Sequence, residues 1–224
     1  MRPSILLLTL LVPGVSAMAE EIPAASLEPI KTWIAQQALA HTLSADFVQT
    51  RRLRMLRDPV SRPGRFWFRA PGSFRWELGV PPETIALRGK DALFLLTTKT
   101  KKFTRQEISA RAARGGFRDL PGMEFPMARD YPDFARRFEV RHVKVDGNLC
   151  TANILPLDQQ ARKYLEKIEI VFDTATGILS AFEIAFRDGS ALRNEFSNVR
   201  VNREIDPATF DPDLTGYTEI RGKD

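Results

Sequence analysis

The 224-residue sequence contains few of the side chains on which enzyme chemistry most often depends. It has one cysteine, Cys150, so an intramolecular disulfide is excluded and the fold must be held by packing. Cys150 lies in a stretch of alternating polar and apolar residues, which favours a buried strand thiol over a nucleophile. The only two histidines, His41 and His142, are far apart in sequence, and a structural role is favoured for both.

Short catalytic motifs are missing as well. The sequence has no phosphate loop of the GxxxxGK type and no GxGxxG, GxSxG or HExxH. We therefore expect no enzyme activity, no catalytic residue, no cofactor, no metal and no nucleic-acid partner. A pair of carboxylates brought together by the fold, as in glycosidases, is the enzymatic alternative that the sequence leaves open.

Long apolar runs are missing except near the N-terminus. There, one arginine precedes an apolar run from Ile5 to Val12, and Ala17-Met18-Ala19 supplies the small residues of a cleavage site. The run is about half of the roughly 20 residues that span a bilayer, which favours cleavage over a membrane anchor. We predict a cleaved signal peptide over residues 1–19, and a single monomeric domain over residues 20–224 that is exported to the periplasm.

Acidic residues are scarce in one stretch of this mildly basic chain, whose net charge is +5. Asp58 is the only acid among eight arginines: Arg51, Arg52, Arg54, Arg57, Arg62, Arg65, Arg69 and Arg75. Such a surface could bind anionic lipid headgroups or an acidic partner. The alternative is that these side chains are solvated outer faces of strands that discourage edge pairing.

The mature chain begins with a helical pattern and continues with strands. Leu27, Ile30 and Ile34 follow helical spacing over residues 27–40, with Ser26 as the predicted N-cap. Two strands, 65–69 and 73–78, then flank the turn Ala70-Pro71-Gly72 and predict a hairpin. Their alternation places on one face the apolar side chains Phe66, Phe68, Phe74, Trp76 and Leu78, opposite Arg65, Trp67, Arg69, Arg75 and Glu77.

Further strand pairs extend this hairpin into a meander. Turn signals separate them throughout, except that residues 106–138 are irregular and predict a lid-like insertion with a short helix over 133–138. About ten antiparallel strands with two or three short helices predict an α+β fold whose sheet must curl, because open sheets of this size rarely stay flat. A one-sided, aromatic-rich sheet without catalytic motifs is typical of a protein that binds apolar ligands.

Four segments of the chain resemble the LolA-type outer-membrane lipoprotein carriers. LSADFVQT (43–50) matches the FxQ element, GRFWFRAPGSFRWEL (64–78) matches G-x-[LF]-W-x-x-x-P-x-x-F-x-W, and LFLL (93–96) matches L-W-x-Y. FSNVRVNREIDPATF (196–210) is similar to the family's closing strand and its N-x-x-[IL]-x-x-x-x-F ending. The segments occur in the family's order and span nearly the whole mature chain.

The resemblance implies an unclosed β-barrel with an apolar lining and a helical lid. It also implies a periplasmic carrier that receives acylated lipoproteins from an inner-membrane donor complex and passes them to an outer-membrane acceptor. The chain departs from the family at Ala70, where the arginine that latches the lid is expected, and at Arg88-Gly89-Lys90-Asp91, which replaces a Ser-Asp-Gly turn. These departures indicate a divergent member whose cargo could be another lipid or glycolipid. An envelope-stress sensor domain is the remaining alternative.

The predicted ligand-binding residues are the apolar side chains expected to face the interior of the curl. They are Trp33, Ile34, Phe47, Phe66, Phe68, Phe74, Trp76, Leu78 and Phe94. Arg69 and Arg75 are candidate contacts for a lid or a partner. For each apolar residue, ordinary core packing is the alternative to ligand contact. If Trp76 lines an open cleft, Trp76→Glu should abolish fatty-acid uptake and leave the fold intact.

Overall fold

The computed structural model describes residues 24–89, 91–108, 128 and 130–220. Its helices are α1 (Glu28–Ala38), α2 (Tyr131–Ala135) and α3 (Gln159–Tyr164). Its strands are β1 (Thr42–Arg52), β2 (Val60–Arg69), β3 (Ser73–Leu78), β4 (Thr84–Arg88), β5 (Ala92–Thr97), β6 (Lys102–Glu107), β7 (Phe138–Asp146), β8 (Leu149–Pro156), β9 (Leu165–Asp173), β10 (Leu179–Phe186), β11 (Ala191–Val201) and β12 (Thr218–Glu219).

All twelve strands belong to one sheet, in the order β12-β6-β5-β4-β3-β2-β1-β11-β10-β9-β8-β7. Neighbouring strands are antiparallel, except that β12 runs parallel to β6. Within the described ranges β7 and β12 are the edges, so the sheet curls without closing. The predicted curled, unclosed antiparallel sheet is confirmed. The parallel β12 was not predicted, because two residues leave no periodic pattern in the sequence.

The helices begin at other residues than the sequence indicated. Leu27, not Ser26, is the N-cap of α1, because Ser26 lies in a 3-10 turn over Ala24–Leu27. Helix α2 starts after Asp130, whose carboxylate accepts a hydrogen bond from the backbone N–H of Asp133 at 2.6 Å. The predicted helix over 133–138 is therefore shifted, and Phe138 begins β7. Most of the predicted lid, residues 109–127 and 129, lies outside the described residues.

Helix α1 packs on one face of strands β8 to β10, which we call the inner face. Ile30, Trp33 and Ile34 are almost completely buried there. The Trp33 ring stacks on Phe172 with 5.0 Å between centroids. Burial of each such side chain stabilises the fold by roughly 1.5–3 kcal/mol. The helix is therefore fixed to the sheet by its apolar stripe.

Cys150 belongs to this helix-covered core. Its side chain is completely buried on β8, and burial raises the pKa of the thiol to about 11. A thiol that stays protonated at neutral pH is a poor nucleophile. The interpretation of Cys150 as a buried strand thiol is confirmed.

The opposite, outer face carries its own apolar cluster and is crossed by the C-terminal segment. Ile85, Leu87, Leu96 and Phe103 form this cluster, and Leu214 and Tyr217 pack against it. Beyond Tyr217 the chain forms β12 along the edge of β6. The C-terminal segment therefore covers apolar side chains that would otherwise face water.

Gly64 on β2 provides the first test of this packing. The Phe47 ring lies directly over Gly64, and a Cβ atom there would collide with the ring and with the Glu77 carbonyl oxygen. We expect Gly64→Ala to lower the free energy of unfolding by about 1–3 kcal/mol, because a packed aromatic ring and a backbone must move apart. Denaturant unfolding would measure the loss.

Gly89→Ala is the matched control. Its added Cβ would be 3.7 Å from the nearest heavy atom, the Phe210 carbonyl oxygen, which is an ordinary contact distance. We expect little change in stability for this variant. Equal losses for the two variants would contradict the packing of Phe47 on Gly64.

Candidate functional site

Strand register brings the predicted aromatic side chains onto the inner face in adjacent rows. Phe66 is opposite Trp76, and Phe68 is opposite Phe74, on strands β2 and β3. Phe47 on β1 faces Phe196 on β11. We call the aromatic cluster the buried residues Phe47, Phe66, Phe68, Phe74, Trp76 and Ala86, with Leu43, Leu78, Leu93 and Phe196 packed against them.

The aromatic cluster is closely packed rather than open. The Phe47 and Trp76 ring centroids are 4.0 Å apart, and Phe66 lies 5.5 Å from Trp76. On the same face of β1 as Phe47, the buried Gln49 side-chain amide donates from Nε2 to the side-chain Oδ1 of Asn194 at 3.1 Å. Most side chains of the aromatic cluster therefore pack against one another on the inner face and leave little exposed surface for a ligand.

An apolar cleft opens beside this cluster, between the C-terminal end of α1 and strands β1, β2 and β11. Its volume is about 680 Å³ including the space open to solvent. The lining residues are Gln36, Gln37, Ala40, Leu43, Ala45, Phe66, Phe68, Thr176, Gly177, Ile178, Leu179, Phe196, Val199 and Val201. None of these side chains carries a charge. The cleft is therefore suited to an apolar ligand.

The turn between β9 and β10 forms one wall of the cleft. The Asp173 carboxylate accepts hydrogen bonds from the Thr176 backbone N–H at 2.7 Å and the Thr176 hydroxyl at 2.9 Å. These bonds hold the pKa of Asp173 below its usual value. The ionised carboxylate therefore stabilises the turn at neutral pH. This stabilisation is lost as the pH falls through the lowered pKa, because the carboxylate becomes protonated. Gln37 ties the turn to α1 by donating to the Gly177 carbonyl at 2.7 Å.

Of the predicted ligand-binding residues, Phe66 and Phe68 line the cleft. Phe47, Phe74, Trp76 and Leu78 belong to the aromatic cluster behind it. Trp33 and Ile34 pack into the core of β8 to β10 and do not line the cleft. The cleft therefore contains only two of the predicted ligand-binding residues and lies closer to the C-terminal end of α1 than the predicted set does.

The prediction that Phe94 faces the interior is wrong. Phe94 is opposite Leu87 in the β4–β5 ladder and packs with the outer cluster, 6.3 Å from the Phe103 ring. Both faces of β5 carry apolar residues, so alternation alone does not identify its inner side. On this strand Leu93 and Leu95 occupy the inner face.

Arg69 and Arg75 also lie on the outer face, where both contact the C-terminal segment. The Arg69 guanidinium is 4.5 Å from the centre of the Phe210 ring. Arg75 donates to Glu77 at 2.6 Å and to the Thr209 carbonyl at 3.3 Å. Neither side chain is directed at the cleft. Because most of the predicted lid lies outside the described residues, contact of Arg69 and Arg75 with a lid or a partner stays a prediction.

Several lining residues were missed by sequence reasoning because of a bulge. Strand β11 contains an extra residue at Asn198, which has a φ of 52° and donates to Asp46 at 2.8 Å. The bulge reverses the alternation, so that Phe196 before it and Val199 and Val201 after it line the same cleft. An asparagine at positive φ is a weak signal of such a bulge.

Arg88 is a second residue that sequence reasoning did not assign to the interior. It is only 5% exposed, and its opposite residues in the neighbouring strands are Phe74 and Leu93 on the inner face. The alternation of β4 contained this signal, because Arg88 shares a face with Ala86. A buried cation thus borders the aromatic cluster.

Membrane-spanning helices and metal-binding groups are two further features that bear on function. In the described part of the chain, no helix is long and apolar enough to cross a bilayer. In the same residues, histidine, cysteine and acidic side chains do not form a group of three that could hold a metal ion.

Comparison with known proteins identifies a family. The family model described as "Outer membrane lipoprotein carrier protein LolA" matches residues 38–213. No curated protein sequence matches the chain significantly.

Comparison with solved structures finds similar chains at low sequence identity. An uncharacterized conserved protein from Thermus thermophilus is 9% identical with a TM-score of 0.53, and the match covers 88% of this chain and 99% of that one. The Mycobacterium tuberculosis lipoprotein LppX is 10% identical with a TM-score of 0.45, covering 81% and 97%. A Pseudomonas aeruginosa MucA/MucB complex gives 11% identity and a TM-score of 0.42, covering 85% and 62%.

Proposed function

The chain belongs to the LolA family of outer membrane lipoprotein carriers, and we propose that it shields the acyl chains of envelope lipoproteins in the apolar cleft. The observation that carries this proposal is an uncharged cleft beside an aromatic inner face, in a family of carriers. Delivery from an inner-membrane donor to an outer-membrane acceptor is the role we infer from the family.

The energetics of acyl-chain burial favour a shallow cleft over a sealed cavity. Each buried methylene contributes about 0.8 kcal/mol, so complete burial of several long chains would hold the cargo too tightly to release. The cleft between α1 and β11 is partly open to solvent and is bordered by the side chains of Gln36 and Gln37. Transfer would then be driven by an acceptor that binds the chains more tightly.

A polar group at the cleft could orient the cargo. The Gln36 Oε1 atom is buried and accepts no hydrogen bond from the described residues. A buried acceptor without a donor is costly. We propose that the Gln36 side chain turns away from Gly177 into the cleft when cargo binds, where an amide or hydroxyl next to the acyl chain donates to Oε1 and the headgroup end of the cargo lies beside the end of α1.

The cellular setting of this proposal rests on the N-terminal region. We propose that residues 1–19 direct export and are removed, and that residues 20–224 act as one carrier domain in the periplasm. The binding partners would be acylated lipoproteins or related envelope lipids. A chemical step on the cargo is not part of the proposal, because members of this family are carriers.

Extraction of bound material tests the proposed cargo. We expect protein purified from the periplasm without detergent to release triacylated peptides, because the apolar cleft should remain occupied in water. Mass spectrometry of the organic extract would identify them. Free lipid or glycolipid alone would retain the carrier function and change its cargo. Copurification of a single-pass membrane protein without any lipid would contradict the carrier proposal and favour a sensor.

A further inference from the structure

The β1–β2 loop, residues 53–59, projects from the end of the sheet opposite the cleft. Leu43 and Val201 border the cleft at the start of β1, whereas Arg52 at its other end is opposite Ala191. At about 3.3 Å per residue, the stretch of β1 between Leu43 and Arg52 separates the two ends by about 30 Å. Any ligand of the loop therefore binds away from the cleft.

Large apolar side chains are exposed on this loop. Met55 is 96% exposed, Leu56 49% and Leu53 40%. A turn closed by the hydrogen bond from Leu56 N–H to the Leu53 carbonyl, 3.0 Å long, places Met55 at its tip. Three apolar side chains grouped at the tip of a projecting loop form a local apolar surface, which is more informative than scattered exposed residues.

Arginines flank these side chains on both sides. Arg51, Arg54 and Arg57 are exposed and form no ion pair within 4.0 Å among the residues that the structure describes, although Arg54 is close enough to Asp188 to help lower the pKa of that carboxyl. Arg52 is only loosely paired, 3.8 Å from Glu183. The guanidinium group binds phosphate in a bidentate geometry and is retained at interfaces between water and apolar surface. The loop thus combines an apolar tip with exposed arginines on both sides of it.

We propose that the β1–β2 loop docks the protein onto anionic lipid membranes. Met55 and Leu56 enter the headgroup region, and the flanking arginines contact lipid phosphates. A protein partner fits less well, because a stable interface needs about 800 Å² from each side and a loop of this length offers far less. This docking goes beyond the proposed carrier function, since it holds the protein at a membrane surface whether or not the cleft is occupied.

Vesicle flotation of the full mature chain tests the docking. We expect it to bind vesicles of phosphatidylcholine with phosphatidylglycerol, to bind pure phosphatidylcholine weakly, and to be released by high salt. Arg54→Gln combined with Arg57→Gln should weaken binding to the anionic vesicles about thirtyfold, given the contribution of each basic residue near such a surface. Met55→Ser combined with Leu56→Ser should also weaken binding to the anionic vesicles at low salt, because it removes the apolar side chains that enter the headgroup region.

Matched controls lie at the other end of the sheet. Leu39→Ser removes a side chain that is 70% exposed, and Arg200→Gln with Arg203→Gln removes two exposed charges. We expect these variants to bind vesicles like the wild type. The proposal would be overturned if the wild-type protein does not bind anionic vesicles, or if the loop variants bind them as well as the controls do. Loop variants that still bind a fluorescent fatty acid in solution would separate docking from the carrier function.

Discussion

Val199→Trp is expected to weaken fatty-acid binding about fiftyfold while the protein remains folded. Val199 lines the cleft and is only partly buried, so a larger side chain can extend into empty space. Tryptophan fills the space of roughly three methylenes more than valine, and each methylene of cargo that loses its place costs about 0.8 kcal/mol. The sum of about 2.4 kcal/mol corresponds to the fiftyfold loss.

Titration with a fluorescent fatty acid would measure this effect, and thermal unfolding would confirm that the variant is folded. Val48→Trp is the matched control, because Val48 is 44% exposed and lies on the outer face of β1. It adds the same side chain to the same region of the sheet without entering the cleft. If both variants bind the fatty acid equally well, the cleft is not the acyl-chain site.

Phe47→Ala should produce the largest loss of stability, about 3–5 kcal/mol. Phe47 is 2% exposed and its ring contacts Trp76, Phe196 and the backbone at Gly64. The cavity left by its removal cannot collapse easily, because aromatic rings border it on two strands. Chemical denaturation monitored by circular dichroism would give the free energy of unfolding.

The half-buried Phe94 supplies the control for this experiment. Phe94→Ala removes the same side chain from the outer cluster, where the ring is partly solvated, so we expect a smaller loss. An equal loss for both variants would show that the aromatic cluster is not a tightly packed core. This comparison also tests whether Phe94 faces outward.

Burial of Trp76 changes the expectation for Trp76→Glu. Trp76 is 7% exposed and packed between Phe47 and Phe66. A carboxylate at this position would be buried without a partner, which is far more costly than removing the ring. We now expect Trp76→Glu to unfold the protein, so loss of fatty-acid uptake in this variant would not identify a ligand contact. Substitutions at the cleft surface, such as Val199→Trp, are the informative ones.

The arginines of the basic stretch fall into two groups in the structure, one that forms ion pairs and one that is exposed around the β1–β2 loop. Arg62 forms an ion pair with Glu83 in the turn before β4, and Arg75 forms one with Glu77 two positions further along the same strand. The three arginines of the β1–β2 loop region instead surround its apolar tip. The net charge of the stretch counts all of these arginines alike. Which of them pair with an acid depends on where the strands and turns place the acidic side chains.

Strand alternation by itself determined which residues of β2 and β3 face inward. Phe66, Phe68, Phe74 and Trp76 share one face because side chains point to opposite sides at every step of a strand, whatever the rest of the protein does. The family resemblance added the unclosed barrel, which the structure confirms. These features depend on local geometry or on motifs within short segments, and both are readable from sequence.

Only the tertiary structure decided where the cleft lies and which side chains line it. The bulge at Asn198 reverses the faces of β11, and the ladder between β4 and β5 sends Phe94 outward. The turn at Gly177 then meets Phe66 and Phe68 across more than 100 residues of sequence, and the end of α1 borders the same cleft. A cleft is the space left between packed elements, so its position depends on their long-range arrangement, which no local pattern in the sequence specifies.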